Sequence, residues 1–236
     1  MSDFALNRTI IGDCRQTLGT LPESFFQCCV TSPPYWLLRD YQHPDQIGRE
    51  EAPDAYVAAL VAVFRLVRRT LRDDGTLWLA TRLGVREQKQ TKVTGGLKPK
   101  DLCGIPWRVA LALQADGWYL RSDIIWAKPN PIPESVTDRP TKAHEYVFLL
   151  AKSERYFFDA NAIKEKATHA GRVLDYTGEQ KANDADPTRQ RTLPRGRKIT
   201  VGDTRNARSV WSVPSQGYVR HAQRACEAAK ARQPIR

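Results

Sequence analysis

The clearest pattern in the chain is an apolar repeat between Asp54 and Leu71. Apolar side chains recur there at every third or fourth position, which is the spacing of one helix face. They are Val57, Leu60, Val61, Phe64, Val67 and Leu71. A second helix is predicted from about Pro106, because proline suits the first helical turn, to Gly117, because glycine favours a helix end. The pattern therefore predicts two helices, each with one apolar face.

Apolar and β-branched runs predict strands before, between and after these helices. The run FFQCCV at residues 25–30 is almost continuously apolar, which is typical of a strand in the middle of a parallel sheet. Further strands are predicted at residues 8–13, 76–81, 118–126 and 145–150. The order strand, helix, strand, helix, strand, strand predicts helices on a largely parallel sheet whose last two strands form an antiparallel pair.

Length and composition limit the class of protein. The 236 residues suffice for one domain, or one domain with a tail, and 41% hydrophobic with 27% charged residues excludes collagen and coiled coils. No run of about 18 apolar residues and no secretory leader occurs, so we expect a cytoplasmic protein without a membrane segment. Five cysteines without a C-x-x-C pair argue against a disulfide framework and against a zinc site.

Positive charge is concentrated in the last third of the chain, where the periodicity fades and only residues 210–214 are predicted to be ordered. Residues 161–236 hold 16 Lys and Arg against 7 Asp and Glu, whereas residues 1–160 hold 21 against 19. This excess favours nucleic acid as a partner, although a solvated tail would have the same composition. The candidates for phosphate contacts are Arg189, Arg191, Arg195, Arg197 and Lys198.

The sequence SPPY at residues 32–35 follows the predicted central strand, at the end where open parallel sheets bind ligands. Two consecutive prolines donate no hydrogen bonds, so the carbonyls of Ser32 and Pro33 can face a pocket. A hydroxyl and a carbonyl together can accept from an amino group, while Tyr35 and Trp36 offer aromatic faces to a planar ring. The motif therefore predicts an exocyclic amine on a flat heterocycle as substrate; a proline-rich loop without chemistry is the alternative.

Several segments together resemble the amino-methylating DNA methyltransferases, whose catalytic motif is similar to TSPPYW at residues 31–36. The other matching segments, in the order of that family, are residues 11–14 (IGDC), 39–41 (RDY), 75–78 (GTLW), 105–108 (IPWR), 123–126 (DIIW), 128–129 (KP) and 139–146 (RPTKAHEY). The resemblance covers about residues 7–160, with a weaker match at 208–214. Its order resembles the permuted, β-like class, in which the catalytic half precedes target recognition and the cofactor half.

The resemblance implies an α/β fold: a partial Rossmann-like methyltransferase sheet forming the catalytic half, followed by a basic, irregular C-terminal region. It divides the chain into a catalytic half at residues 1–160, a target-recognition-like region at 161–214 and a divergent tail at 215–236. The implied reaction transfers a methyl group from S-adenosylmethionine to the exocyclic amine of a base in double-stranded DNA, as in restriction-modification systems. RNA or protein as methyl acceptor is an alternative that keeps the same pocket chemistry.

By this resemblance the catalytic residues are Ser32, Pro33, Pro34 and Tyr35. Ser32 and the Pro33 carbonyl would accept hydrogen bonds from the amine, and Tyr35 would stack on the flipped base. Serine at this position favours cytosine N4; adenine N6 and a non-catalytic DNA-binding remnant are the alternatives. Weaker assignments are Asp13 beside the cofactor, and Trp36, Arg39, Lys128 and Asn130 beside the DNA.

Two further residues, His144 and Glu145, lie in a segment that matches the family, and an ion-paired or hydrogen-bonded structural role is the alternative to function there. No glycine-rich motif of the kind that holds the cofactor in this family occurs in the 236 residues. We therefore expect a chain that is inactive alone, or that works with a complementing chain or as a homodimer. Because later strands can cover mainly one side of residues 25–30, an exposed sheet edge is expected there unless a partner chain fills it.

Overall fold

The computed structural model describes residues 9–82, 97–98, 100–131, 133–175, 198–212, 220 and 224. The helices are α1 (Cys14–Thr20), α2 (Pro53–Thr70) and α3 (Ile105–Ala115). The strands are β1 (Phe26–Thr31), β2 (Leu71–Thr81), β3 (Tyr119–Ala127), β4 (His144–Ala151), β5 (Glu165–Lys166), β6 (Val173–Asp175), β7 (Lys198–Thr200), β8 (Thr204–Arg205) and β9 (Val210–Trp211). The described residues form two units, one within Met1–Asp159 and Ser209–Arg236, the other within Ala160–Arg208.

The first unit contains a five-stranded sheet with the order β1-β2-β4-β3-β9. Strand β1 pairs with β2 and β3 with β9 in parallel, whereas β4 is antiparallel to both β2 and β3. The predicted α/β class and the antiparallel pair are confirmed. Four of the five strands run in the same direction, as expected for a largely parallel sheet, and the reversed strand β4 lies between β2 and β3, so that two of the four pairings are antiparallel.

Both predicted helices are present and bury their apolar faces against one side of this sheet. Helix α2 contributes Tyr56, Leu60 and Phe64 to the core, and α3 contributes Val109 and Leu113. The sheet residues in the same core are Leu77, Leu79, Phe148 and Leu150. Each such side chain stabilises the fold by roughly 1.5–3 kcal/mol relative to exposure. The helical periodicity of the sequence therefore identifies this face of the core.

The opposite face of the sheet is built on tryptophan. Trp78 of β2 stacks on Phe158 and on Trp211, with ring centroids 6.3 Å and 6.0 Å apart. Trp211 belongs to β9, the segment that the sequence predicts to be ordered near the end of the basic region. This strand is joined to β3 through the register pair Trp126 and Trp211. Residues distant in sequence thus complete the second face.

Strand β1 lies at an edge of the described sheet, and all six of its residues are partly exposed. The prediction that it would be central is wrong for the described residues, whereas the exposed edge is confirmed there. The strand predicted at residues 8–13 is also absent from the described residues 9–13. Asp13 instead caps helix α1, accepting a hydrogen bond from the Arg15 backbone N–H at 2.8 Å.

Strand β2 begins five residues earlier than predicted, directly after helix α2. Its register with β1 shifts between Phe26 and Cys28, where β2 takes a tight course through Gly75. A Cβ on Gly75 would lie 2.8 Å from the Arg72 carbonyl oxygen, so only glycine fits this bend. The seven residues from Gly75 to Thr81 are all buried.

The described residues of the second unit, a region predicted to be irregular, include four strands of two or three residues each. They form two antiparallel pairs, β5 with β8 and β6 with β7. Glu165 connects the first pair to the following chain, since its carboxylate bonds Arg205 at 3.2 Å and Arg208 at 3.0 Å. Strands this short carry no measurable periodicity, which explains why the sequence pattern misses them. No helix in the described ranges is long and apolar enough to cross a lipid bilayer.

Candidate active site

Four chain segments meet at the carboxyl ends of the parallel strands. Strands β1, β2 and β3 run in the same direction and end there, and the reversed strand β4 begins at the same place. The residues that follow or open these strands are Ser32 after β1, Arg82 after β2, Lys128 after β3, and Glu145 as the second residue of β4. The topology therefore brings polar groups from distant parts of the sequence to one place.

The predicted motif lies in this group. Ser32 is exposed, and Pro33, Pro34 and Tyr35 are partly buried. The Ser32 hydroxyl lies 3.0 Å from the Tyr35 phenol oxygen, and the Tyr35 hydroxyl donates to Glu145 Oε2 at 3.3 Å. Ser32, Tyr35 and Glu145 thus form a continuous chain of hydrogen bonds from the surface to the interior.

Glu145 is the charged residue at the inner end of that chain, and its exposure is only 5%. Its Oε1 atom forms an ion pair with the Lys128 ammonium and lies 3.7 Å from Arg82 Nε. The Lys128 ammonium also lies 4.8 Å from the centre of the Trp126 ring. A buried carboxylate is tolerated because these cations and the Tyr35 hydroxyl satisfy it.

A hydrogen bond from helix α2 fixes the backbone of the motif. The Tyr56 hydroxyl donates to the Pro34 carbonyl at 2.8 Å. Burial raises the pKa of the Tyr56 phenol well above its ordinary value, with a smaller contribution from Glu50, so the group stays a donor at neutral pH. Helix α2 therefore fixes the backbone of the motif at Pro34.

A glycine packs closely against the backbone of the motif. Gly48 has φ +101°, and a Cβ there would lie 3.1 Å from the Tyr35 carbonyl oxygen. The Gly48 carbonyl accepts a hydrogen bond from the Leu37 backbone N–H at 2.7 Å. The chain on both sides of Tyr35 is thus fixed before any ligand arrives.

A cavity of about 580 Å³ lies beside the motif. Ser32, Pro33 and Pro34 form one side of it, while helices α1 and α2 and strand β1 supply a mainly apolar remainder. This volume is within the range of small-molecule sites, which is roughly 300–1,000 Å³. The motif therefore borders both the surface and a concave apolar space.

The structure places the weaker site candidates differently from one another. Trp36 is 2% exposed and its indole N–H donates to the Glu50 carbonyl at 2.9 Å, so the assignment to DNA contact is corrected: Trp36 is a core residue. Arg39 and Asn130 are exposed, and their DNA roles stay predictions. Lys128 is drawn toward Glu145 rather than extended into solvent.

Asp13 and the basic cluster complete the candidates. Hydrogen bonds from Arg15 lower the pKa of Asp13 to about 2, so its carboxylate serves the start of helix α1, and its cofactor role stays a prediction. Lys198 is exposed at the start of β7. The other four members of the cluster lie outside the described residues; they are Arg189, Arg191, Arg195 and Arg197.

Sequence reasoning missed two residues that shape this site. Tyr56 belongs to the apolar face of α2, where the helical repeat identifies only a core position. Arg82 follows directly after a predicted strand, and the rule that ligands bind at the carboxyl ends of parallel strands could have pointed to it. Neither signal reveals that the side chain reaches the motif or Glu145.

Comparison with known proteins identifies relatives of this chain. A family described as DNA methylase, of the N6 and N4 type, matches residues 26–232. The chain is 52% identical over 178 residues to the type II methyltransferase M.SmaI of Serratia marcescens, covering 68% of this chain and 61% of that protein. It is 46% identical over 181 residues to M.Cfr9I of Citrobacter freundii, covering 68% and 59%. The chain thus spans about three-fifths of the length of these curated relatives.

A solved structure shares the fold. The chain superposes on the PvuII DNA methyltransferase (cytosine-N4-specific) with a TM-score of 0.50 and 22% identity, over 65% of this chain and 51% of that one. At this identity the likeness establishes the α/β architecture of the sheet and its helices.

Proposed function

Because the chain belongs to the DNA methylase family of the N6 and N4 type, we propose that it carries the amine-binding half of a DNA methyltransferase. The reaction transfers a methyl group from S-adenosylmethionine to the exocyclic amine of a base in double-stranded DNA, in the cytoplasm, as part of a restriction-modification system. The observation that carries this proposal is the position of Ser32 and Tyr35 at the carboxyl ends of the strands, where contacts with Tyr56, Gly48 and Glu145 fix the motif.

This half contributes to the reaction by positioning the substrate amine. Ser32 Oγ and the Pro33 carbonyl accept hydrogen bonds from the amine, which keeps the nitrogen lone pair directed at the incoming methyl group. The Tyr35 ring offers a stacking face to a flipped base. Pro33 and Pro34 donate no hydrogen bonds, so the acceptor surface has no competing backbone donor at these two positions.

S-adenosylmethionine supplies the methyl group in this family. The apolar cavity beside Ser32 and Pro33 is large enough for part of such a molecule, and it opens next to the amine acceptors. The 236 residues contain no G-x-G sequence, so the fit is incomplete: these residues form one wall of a cofactor site. We propose that a glycine-rich segment from a complementing chain supplies the rest.

The proposed target is the N4 amine of cytosine. Its support is serine at position 32, since serine in this motif resembles the cytosine-N4 members of the family. Adenine N6 is the alternative target. DNA recognition is assigned to the basic region at residues 161–214, with support from its positive charge and from the separate unit within Ala160–Arg208.

A methyl-transfer assay tests the proposal. The chain is mixed with S-adenosylmethionine labelled in its methyl group and with unmethylated plasmid DNA, and the DNA is digested to nucleosides for mass spectrometry. The assay is repeated with the unmatched part of the Serratia relative added as a separate polypeptide. We expect label in N4-methylcytosine, at least in the complemented reaction, and loss of that label in Ser32→Ala.

The outcomes separate the alternatives. Label in N6-methyladenine would replace cytosine as the target. Saturable binding of S-adenosylmethionine to the chain alone, measured by calorimetry with DNA present, would show that no complementing segment is needed. No transfer by the folded chain, with or without the added segment, overturns the proposed function and leaves a DNA-binding remnant.

A further inference from the structure

The hydrogen-bond chain from Ser32 to Glu145 has a direction that the chemistry of its groups determines. A carboxylate only accepts hydrogen bonds, so the Tyr35 hydroxyl donates its hydrogen to Glu145 Oε2, 3.3 Å away. The Tyr35 oxygen then accepts from the Ser32 hydroxyl at 3.0 Å. The Ser32 hydrogen is therefore committed to Tyr35, and lone pairs of Ser32 Oγ remain for an incoming donor.

This direction matters because a hydroxyl can either donate or accept. An amine substrate donates hydrogen bonds and therefore requires an acceptor. A serine hydroxyl whose hydrogen pointed at the amine would repel it, because both groups would then be donors. The Glu145 carboxylate excludes that arrangement through two successive hydrogen bonds, by way of Tyr35. Hydrogen bonds in a row also polarise one another, so the charge of Glu145 increases electron density on the Ser32 oxygen through Tyr35.

The surroundings of Glu145 are suited to this task. The carboxylate is buried, and its other oxygen faces the Lys128 ammonium and Arg82, so its orientation is fixed from the side opposite Tyr35. The three groups arrive from the ends of β2 and β3 and the start of β4, which are rigid elements of the sheet. A carboxylate held in this way keeps one oxygen directed at Tyr35.

We propose that Glu145 is a positioning residue for amine recognition, and that through Tyr35 it makes Ser32 a polarised hydrogen-bond acceptor. This inference rests on the proposed function and deepens it, since it assigns a role to a residue outside the SPPY motif. Lys128 and Arg82 act on Glu145 by fixing its carboxylate. Tyr35 then has two roles: its ring faces the base, and its hydroxyl relays the charge.

Kinetics distinguish this role from a merely structural ion pair. Tyr35→Phe keeps the ring and leaves the Glu145 ion pairs intact, so it removes only the relay. In the methyl-transfer assay above we expect kcat to fall roughly 10- to 100-fold, the effect of a lost charge-assisted hydrogen bond, while KM for DNA changes less than about twofold. Glu145→Gln should lower kcat similarly, because an amide lacks the charge.

The double variant provides the sharper test. If Glu145 acts through Tyr35, Glu145→Gln combined with Tyr35→Phe should be no slower than the slower single variant. Multiplied effects, or a Tyr35→Phe protein with the parent kcat, overturn the proposal. Should Glu145→Gln fail to fold, Glu145→Asp keeps a charge for Lys128 and Arg82 but shortens the reach to Tyr35, and it should fold with a reduced kcat.

A measurement without turnover separates this inference from the proposed function. Fluorotyrosine is placed at position 35 alone, and its ¹⁹F resonance is recorded in the folded 236-residue chain. We expect the resonance to move in Glu145→Gln and in Ser32→Ala. It should stay in place in Glu23→Gln, a control whose carboxylate pairs with Arg69 3.2 Å away, beyond the start of β1.

The outcomes are distinct. A parent chain that transfers no methyl group in any combination removes the proposed function, and the ¹⁹F shifts still decide whether Glu145 acts on Tyr35 and Ser32. An active parent with an unchanged ¹⁹F resonance in folded Glu145→Gln overturns the inference and leaves the proposed function standing.

Discussion

Strand β1 and the second half of β2 are both mostly apolar, but they have different surroundings. From Gly75 to Thr81 every residue of β2 is buried, whereas every residue of β1 is partly exposed. Strand β2 lies between β1 and β4, while β1 pairs with β2 alone among the described residues. The burial of a strand thus depends on how many neighbouring strands pair with it. Its own apolar sequence indicates only that such neighbours are required.

This difference coincides with the candidate site. The motif follows the less buried strand, and the apolar cavity lies beside that strand and the motif. Its acceptors are fixed by contacts from α2, from the Gly48 loop and from β4, none of which comes from a second neighbour of β1. The open side of β1 is therefore compatible with an ordered amine site.

The largest expected effect compares register partners in the two strands. Leu77 of β2 is fully buried and pairs with Cys29 of β1. Leu77→Ala should lower the free energy of unfolding by about 2–5 kcal/mol, because it leaves a cavity in the core. Cys29→Ala should cost less than half as much. Urea denaturation measures both, and equal losses would contradict the difference in burial between the strands.

The second prediction concerns the contact that holds the carboxyl end of β1. Tyr56→Phe removes the hydrogen bond to the Pro34 carbonyl without changing the shape of the core. We expect a loss of about 1 kcal/mol in unfolding free energy and a lower kcat in the methyl-transfer assay. The matched control is Val57→Ala in the same helix, a buried residue that does not line the cavity, which should affect stability without affecting kcat at equal fraction folded. The same kcat loss in both variants would argue against a specific role for Tyr56.

The third prediction addresses the open edge itself. Phe25 precedes β1 and is 44% exposed. Phe25→Lys should reduce self-association, because a lysine beside an exposed strand opposes pairing with another chain. Light scattering at increasing protein concentration measures this effect, while the unfolding free energy should change little. Unchanged scattering would indicate that the edge of β1 is not where the chains associate.

The smallest expected effect is a pH dependence at the start of β4, the other neighbour of β2. Burial, with a smaller contribution from Lys142, lowers the pKa of His144 below its ordinary value of 6.5. The unfolded chain therefore binds this proton more readily, so stability falls as the pH drops below about 6.5. His144→Gln should show a smaller decrease in melting temperature between pH 7.5 and pH 5.5.

Strand β1 offers the contrast for that measurement. Its only ionisable side chains are Cys28 and Cys29, and burial raises the pKa of the Cys29 thiol to about 12. Cys29→Ala should therefore leave the melting temperature's change between pH 7.5 and pH 5.5 as in the parent. A larger change in Cys29→Ala than in His144→Gln would contradict this assignment.

The sequence by itself determined the local elements and the chemistry of the motif. The three- and four-residue repeat identifies α2, and the apolar runs identify β1, the buried part of β2, β3 and β4, because side-chain periodicity follows directly from backbone geometry. The SPPY residues indicate an amine acceptor, because proline lacks a backbone donor whatever the fold around it. The need of β1 for neighbours on both sides also follows from its composition.

Only the tertiary structure decided how these parts meet. Strand β4 inserts between β2 and β3, and this topology brings Arg82, Lys128 and Glu145 to the motif from positions up to 113 residues after Ser32. Trp36 and Tyr35 are adjacent aromatic residues, yet one is buried in the core and the other bonds Glu145. Contacts between distant segments depend on strand order and register, which no local pattern encodes.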